Sequence, residues 1–521
     1  MARQIHTRWK ITGTLKAETP IHVSGMGGDA DTDLALAVNG KGNYYIPGTS
    51  LAGAFRGWMK QILDEDALKD IWGDHEHEKR GASLIIIEDA EIQDDPLIEI
   101  REGVGIDRHT RAAADGQKYN RAILPKGVTF PLKITLDCKQ DSEETELWKL
   151  LFALESGDIR IGAAKTRGLG KVKLVQIKIK KHQLNSSDGL FNSLLNQNLK
   201  EEWTDLKQTI IDKYQPPAKL DLKINWKPKD PVMVKAEGDG IAVDILPLVS
   251  RVANNDVRFV IPGSSIKGVL RAHAERIVRT VCEKDTGDKF LKQVQLSLID
   301  EVFGAASYKR KKKDQEIETG LIGILGVDDC YGTLPMDPEH WAAVENAPKN
   351  ANDEFGAFKN TLATALDIDR AEAFKKLQPA MHVAIDRWTG GAADGMLYSV
   401  LEPIGVDWEP IGIHLDLARL EKYHFDLLQP AIALLLLVLR DFANRKIPIG
   451  YGTNRGMGTV KVITATAIGS SIKNLDQLNG ENSVANDLRD LDPQLLQDLT
   501  KAWRGWIELS TQADQKEEEA A

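Results

Sequence analysis

The chain is 521 residues long, 28% of them charged and 42% hydrophobic, with a formal net charge of −10. Its length predicts two to four domains with separate cores, and its most apolar run, Ile432 to Leu439, is far too short to cross a bilayer. Three widely spaced cysteines (Cys138, Cys282, Cys330) without a CxxC pair argue against a thiolate zinc site and fit a reducing compartment. With no charged-then-apolar leader, a cytoplasmic location is expected.

In chain order, Trp9, Ile11, Leu15 and Ala17 alternate with mostly polar residues, the period of a half-buried strand. From Pro20 an extended run leads to Asp33. Ile46-Pro47-Gly48-Thr49-Ser50 reads as a turn whose Thr/Ser pair caps a helix, with Leu51, Phe55, Trp58 and Ile62 along its apolar face. Gly53 inside that helix costs roughly 1 kcal/mol against alanine. Its presence suggests a close backbone approach, by another helix or by a ligand.

Residues 61–100 hold thirteen Asp or Glu against three bases. Among them Asp74-His75-Glu76-His77-Glu78 lacks the i, i+4 histidines of a helical zinc site and reads as a solvated acidic loop. Residues 160–181 hold eight Lys or Arg and no acid. They offer either a polyanion-binding surface or a strand edge protected by lysines. A negative chain is not the expected nucleic-acid binder, but net charge averages over such faces. Residues 182–212 are helical in pattern (Leu190, Leu194, Leu195, Leu199, Trp203, Leu206) and end at Pro216-Pro217, a bridge to the second half of the chain.

Beyond the bridge the chain repeats itself. Leu220, Leu222, Ile224 and Trp226 restore the strand period, and Pro231 leads to Asp244 over the same thirteen residues that separate Pro20 from Asp33. Ile261-Pro262-Gly263-Ser264-Ser265-Ile266-Lys267-Gly268 echoes the first turn and helix. Ala384-Ile385-Asp386-Arg387 echoes Gly105-Ile106-Asp107-Arg108, and Gly450 to Gly458 echoes Gly162 to Gly170. Four matches in one order predict a module used twice. The expected division is 1–181 and 218–465 for the modules, 182–217 for the helical bridge, and 466–521 for a helical, polar tail that frays. An insertion around 282–380 enlarges the second copy by about sixty-four residues and includes the basic run Lys309 to Lys313. Each copy reads as α+β, one sheet with helices on a face.

A turn that opens a helix offers free N–H groups at the positive end of the helix dipole, a natural anion site; Ser-capped turns are also common in proteins that bind nothing. The Gly-rich segments let backbone approach a phosphate chain. They hold Arg167 and Arg455, residues suited to a phosphodiester, and neither has P-loop spacing.

Together the duplicated Ile-Pro-Gly block, the Ile-Asp-Arg block and the Gly-rich Arg loop resemble the CRISPR RAMP superfamily. Within it they are similar to the backbone subunits of type III effector complexes, in particular the fused two-copy subunit of type III-D systems. The resemblance implies two tandem RRM/ferredoxin-like modules with β-hairpin thumbs (about Asp107 to Lys126 and Asp386 to Pro403). It implies guide RNA, target RNA and other type III subunits as partners. RNA contacts are implied at Gly48, Ser50, Arg56, Arg108, Lys165, Arg167, Gly263, Ser264, Ser265, Lys267, Arg271, Arg387 and Arg455; Ala52 stands where the second copy has Lys267.

In that family each thumb displaces one nucleotide of the guide–target duplex. Stacked A-form RNA keeps a 2′-hydroxyl out of line with its own phosphate, so displacement is what permits attack. The implied catalytic residues are loop aspartates, Asp33 in copy one and Asp244 in copy two, acting with Mg²⁺ to cut the target at two positions. Asp29 and Asp31 rival Asp33. Tyr119 and Tyr398, on the thumbs, are candidates for base stacking or for packing on the hairpin. His22 is a candidate general base of the kind found in guide-processing RAMP nucleases, but Met233 occupies its place in copy two. Two alternatives stay open: a non-catalytic architectural guide-binding subunit, and a guide-processing endoribonuclease.

Overall fold

The computed structural model describes residues 4–520 other than 26–31, 75–80, 93–95, 140, 196–198, 213, 253–254, 313–314, 350–354 and 485–489. The chain forms two compact units. The first comprises Met1–Gly103, Tyr119–Lys165 and Leu169–Pro217; the second comprises Ala218–Ala521 together with Val104–Lys118 and Thr166–Gly168. Among the described residues no helix is long and apolar enough to cross a membrane.

In the first module β1 (Thr7–Ala17) leads to α1 (Gly48–Ile62), a short β2 (Ile85–Ile87), the hairpin β3 (Glu99–Ile106) and β4 (Ala113–Ile123), β5 (Thr129–Cys138), α2 (Asp141–Ser156) and β6 (Val172–Gln183). The sheet order is β2-β5-β1-β6, all antiparallel, with β7 (Leu199–Glu201) added outside β6. This is a βαββαβ ferredoxin-like sheet with a hairpin inserted between its second and third strands. The period-2 reading of β1 holds: Trp9, Ile11, Leu15 and Ala17 are buried, while Lys10, Thr12 and Lys16 are exposed. Leu51, Phe55 and Trp58 of α1 and Leu147, Leu151 and Leu154 of α2 cover the buried face. Each such side chain contributes about 1.5–3 kcal/mol on burial, and Trp9 meets Trp148 edge-on at 4.9 Å.

The second module repeats this plan. Its elements are β8 (Lys219–Pro228), β9 (Ile245–Pro247), α3 (Gly263–Val281), the hairpin β10 (Gly304–Lys312) and β11 (Gln315–Ile322), β12 (Leu325–Val327), the hairpin β13 (Leu377–Ile385) and β14 (Ala392–Pro403), β15 (Ile411–Asp416), α4 (Leu428–Ala443) and β16 (Val460–Ser470). The order β12-β15-β8-β16, with β17 (Gly480–Ser483) outside β16, matches the first sheet strand for strand. Leu220, Leu222, Ile224 and Trp226 are buried as their alternation predicts.

Four expectations change. The bridge is not one helix. It contributes β7 between two short helices, Ser187–Leu194 and Trp203–Ile211, and it is Trp203 and Ile210 that enter the core, while Leu190, Leu194 and Leu195 are exposed. The tail likewise adds β17 and a helix, Pro493–Ala520, whose Leu495, Leu499 and Trp506 are buried; one apolar stripe docks it despite its polar composition. The extra residues of copy two fall on both sides of β12, which is itself part of the repeat. The basic run lies on β10, where the register sets Lys309 opposite Glu318 and Lys311 opposite Glu316; Lys313 lies outside the described residues. Finally, the Ile-Asp-Arg blocks are not the start of the hairpins but their turns. Asp107 Oδ1 accepts the N–H groups of His109 and Thr110, and Asp386 Oδ1 accepts those of Trp388 and Thr389.

Candidate nucleic-acid interface

Asp33 and Asp244 occupy the same place in their modules. The Asp33 N–H donates to Asn120 Oδ1 at 2.7 Å, and Asp33 Oδ2 accepts the Asn120 N–H at 2.8 Å. The Asp244 N–H donates to Ser399 Oγ at 3.0 Å, and Asp244 Oδ2 accepts the Ser399 N–H at 2.6 Å and its hydroxyl at 2.8 Å. Asn120 and Ser399 stand equally far from Asp107 and Asp386 on the outgoing hairpin strands β4 and β14. The next residue pairs parallel to that strand in both cases, Leu34 with Arg121 and Ile245 with Val400. Each aspartate is thereby clasped to the base of its hairpin. Burial by itself would push the Asp244 carboxyl up, but the two Ser399 donors and the charge of Lys349 hold it below the usual carboxylate range. Asp29 and Asp31 lie outside the described residues.

The Ile-Pro-Gly turns do a different job from the one their sequence suggests. Neither helix has a side-chain cap from Thr49, Ser50, Ser264 or Ser265, because the capping positions are Pro47 and Pro262. The first N–H of each helix goes instead to a distant carboxylate, Gly48 to Asp89 Oδ1 and Gly263 to Asp329 Oδ1, both at 2.7 Å. A Cβ on Gly48 would stand 2.4 Å from the Ile87 carbonyl oxygen, and one on Gly263 2.1 Å from that of Val327. The glycines let each helix start pass close to the Ile87 or Val327 carbonyl, and a carboxylate, Asp89 or Asp329, meets the positive end of the helix dipole there. Asp89 and Asp329 escaped notice in the sequence, although Ile87-Glu88-Asp89-Ala90 and Val327-Asp328-Asp329-Cys330 form one more echo. Gly53 and Gly268 have nothing within 4 Å of a built Cβ, so no described part of the chain makes the close approach expected there.

Several predicted RNA contacts are engaged in the fold. Lys267 is buried and donates to the Leu325 carbonyl at 2.7 Å; burial first, then the charges of Arg167, Arg271 and Arg419, push its amine down to about 7. Arg271 donates to Glu275 and to the carbonyls of Gly304 and Val294. Within the second unit Arg108 donates to both oxygens of Glu275, at 2.6 and 3.2 Å. Burial lowers the Lys165 amine. Arg56, Arg167, Arg387 and Arg455 are exposed, and Arg455 donates to the Tyr398 hydroxyl. His22 is fully buried, with Nδ1 2.7 Å from the Ala122 carbonyl and Nε2 2.8 Å from Ser24 Oγ; burial chiefly lowers its pKa. Both ring nitrogens are thus committed inside the chain. Cys138, Cys282 and Cys330 are buried and none of them is in a disulfide. Of the acidic loop, residues 75–80 lie outside the described residues, and no cluster of three or more His, Cys, Asp or Glu that would hold a metal occurs among the described ones.

β7 pairs with Ile179, Lys180 and Lys181 alone, so among the described residues 172–178 of β6 stay on the edge of the sheet, as the strand-edge reading of the basic run expected. Three of its lysines lie on the open face of the first sheet, where Lys180 faces Lys10, Lys178 faces Thr12, and Lys173 faces Lys16. Lys133 adds to the face beside Thr12 and pairs with Glu88 at 3.2 Å. All of these lysines are exposed, so one surface of a net-negative chain is strongly positive. The second sheet presents Asp221, Lys223, Asn225 and Lys227 in the corresponding places.

Two βαββαβ sheets in tandem, each carrying a long hairpin with an aspartate clasped at its base, define a duplicated ferredoxin-like protein. The RAMP superfamily model matches residues 14–173 and again 238–461. The chain belongs to that superfamily, which implies a CRISPR-associated RNA-binding subunit. No curated protein matches it.

Proposed function

We propose that the chain is a backbone subunit of a type III CRISPR ribonucleoprotein, of the fused two-module kind, that holds guide RNA and cuts paired target RNA once per module. The carrying observation is the clasp: both modules tie an aspartate to the same hairpin position through different side chains, Asn120 and Ser399. Keeping the place of the carboxylate while changing its partner is what a role for the carboxylate itself requires. The hairpin, with Trp388 96% exposed at its turn in the second module, is the element that unstacks a nucleotide, and the clasp keeps the carboxylate beside the strand that does so.

In each aspartate Oδ2 is bound to the hairpin, and no other side chain among the described residues donates to Oδ1. A carboxylate held as low as Asp244 is a weak base at neutral pH, so its use is to orient the 2′-hydroxyl or to hold a cation. One open carboxylate oxygen per module fits Mg²⁺, which keeps most of its waters and shares phosphate oxygens rather than filling a protein cage. Asp33 and Asp244 would hold it, and it would supply neutralisation of charge developing on the phosphate. The lysine face of the first sheet supports backbone contacts, with sequence read by base pairing.

The competing architectural reading draws on the same clasp, since a carboxylate that fastens a hairpin needs no catalytic duty. The assembled complex separates the two. With guide RNA and complementary target, Asp33→Ala is expected to remove one cut and Asp244→Ala the other, with RNA binding retained. Both cuts persisting in the double variant would leave only the architectural role.

A further inference from the structure

Residues 104–118, the tip of the first hairpin, and loop residues 166–168 belong to the second compact unit. There Arg108 donates through Nε and Nη2 to the two oxygens of Glu275, at 2.6 and 3.2 Å. The Arg108 N–H donates to Gln293 Oε1 at 2.9 Å, and Gln293 Nε2 donates to Asp107 Oδ2 at 2.8 Å. Glu275 is 2% exposed, so the arginine neutralises a carboxylate that lies inside the fold. A Cβ on Gly105 would stand 2.7 Å from Phe290 Cζ, and one on Gly168 2.4 Å from Asp329 Oδ1, the atom that accepts the Gly263 N–H. Tip and loop thus share one seat: Glu275 of α3, Phe290 and Gln293 beyond it, and Asp329 at its start.

The second module has both elements, and the first module lacks the seat. Asp386-Arg387-Trp388 repeats Asp107-Arg108-His109, with Arg387 exposed and Trp388 96% exposed. No described residue comes within 4 Å of a Cβ built on Gly456, the counterpart of Gly168. On α1, Lys60 occupies the place of Glu275, twelve residues beyond the helix-starting glycine in each copy, and it is exposed. The stretch that carries Phe290 and Gln293 lies between α3 and the helix Ile299–Phe303; α1 is followed at once by the helix Glu65–Trp72. Of the seat, Asp89 alone keeps its place, as the counterpart of Asp329.

We propose that the tip and loop of the second module dock on an Ile-Pro-Gly helix of a different polypeptide, one that carries a carboxylate twelve residues beyond its glycine, and that Lys60 bars a second copy of this chain from that place. Arg387 set against Lys60 would bring two like charges together out of water, and a repulsion of this kind selects between otherwise similar partners. The contact is heterologous, so a chain that accepted its own tip would close into rings or grow into filaments. This docking rests on the backbone-subunit reading above and adds what the neighbour must carry and why it is not another copy. Contact at the tip leaves the strands of the hairpin, with Met381, Val383 and Leu397 exposed, to the RNA.

The full chain by itself provides two tests. In hydrogen–deuterium exchange the amides of residues 107–112 should exchange about tenfold or more slower than those of 386–391, because only the first tip is seated. Arg108→Ala should erase that difference, and equal rates in the wild type would overturn the seat. Sedimentation velocity should give one species at every concentration. A series of oligomers that Arg387→Glu abolishes would overturn the exclusion of a second copy. The partner is read in the complex purified through the tagged full chain, with Trp388→p-benzoylphenylalanine as the probe; the site is exposed, so the fold tolerates it. Ultraviolet light should crosslink it to an Ile-Pro-Gly helix of another polypeptide, and Arg387→Glu should remove the crosslink. Crosslinks to RNA alone, to a second copy, or none at all would overturn the docking. A complex that gives the expected crosslink but holds no guide RNA would overturn the ribonucleoprotein reading and spare the docking.

Discussion

The Asp244 carboxylate and Ser399 close a ring of three hydrogen bonds: Oδ2 accepts the Ser399 N–H and hydroxyl, and Ser399 Oγ accepts the Asp244 N–H. The residues lie 155 positions apart in sequence. Their counterparts Asp33 and Asn120 make a two-bond version across 87 positions. The ring at Asp244 fastens a loop to the outgoing strand of the hairpin, and its donors hold the Asp244 carboxyl below the usual carboxylate range.

Ser399→Ala removes one donor and one acceptor from that ring. The expected loss is about 1 kcal/mol at neutral pH, read from urea unfolding. The Asp244 carboxyl lies below its unfolded value in the folded chain, so its stabilisation is complete above the unfolded pKa of about 3.9 and is lost as pH falls through the folded value. The difference between wild type and Ser399→Ala should therefore shrink on acidification below that range.

Lys267 behaves in the same sense for a different reason. Its amine is pushed from 10.5 down to about 7, chiefly by burial, so the folded chain releases a proton that the unfolded chain keeps. Stability tied to this residue is present above the unfolded value and lost as pH falls through about 7. Unfolding midpoints of wild type and Lys267→Met, compared from about pH 6 to about pH 11, a range that brackets both values, should move in favour of wild type as pH rises. A pH-independent difference would place the amine in water.

The glycines of the two repeated helices should respond oppositely to alanine. Gly48→Ala and Gly263→Ala drive a methyl group into the Ile87 and Val327 carbonyls and should destabilise by several kcal/mol, as other overpacked sites do. Gly53→Ala and Gly268→Ala meet open space and should stabilise by up to about 1 kcal/mol. Thermal melts of the four variants check this. If Gly53→Ala and Gly268→Ala instead weaken RNA binding, the open space beside them belongs to the ligand.

Removal of divalent cations should stop both target cuts in the assembled complex while guide and target stay bound, and Mg²⁺ should restore them. Cleavage that continues in EDTA would leave Asp33 and Asp244 to orient the hydroxyl without a metal.

The sequence by itself determined the duplication, the strands with alternating burial such as Trp9 to Ala17, the two helices after Ile-Pro-Gly, and the order of blocks that identifies the family. These are written in residue periods and spacings, which survive because each buried position constrains its neighbours locally. The tertiary structure alone decided what the motifs do. It assigned the helix N-termini to Asp89 and Asp329, gave Lys267 to a carbonyl, and put three lysines of the basic run on a sheet face. It also matched Asp33 to Asp244 through partners of different type. Each outcome depends on hydrogen bonds and approaches between residues tens to hundreds of positions apart, and chain closure creates those neighbours without leaving a period in the sequence.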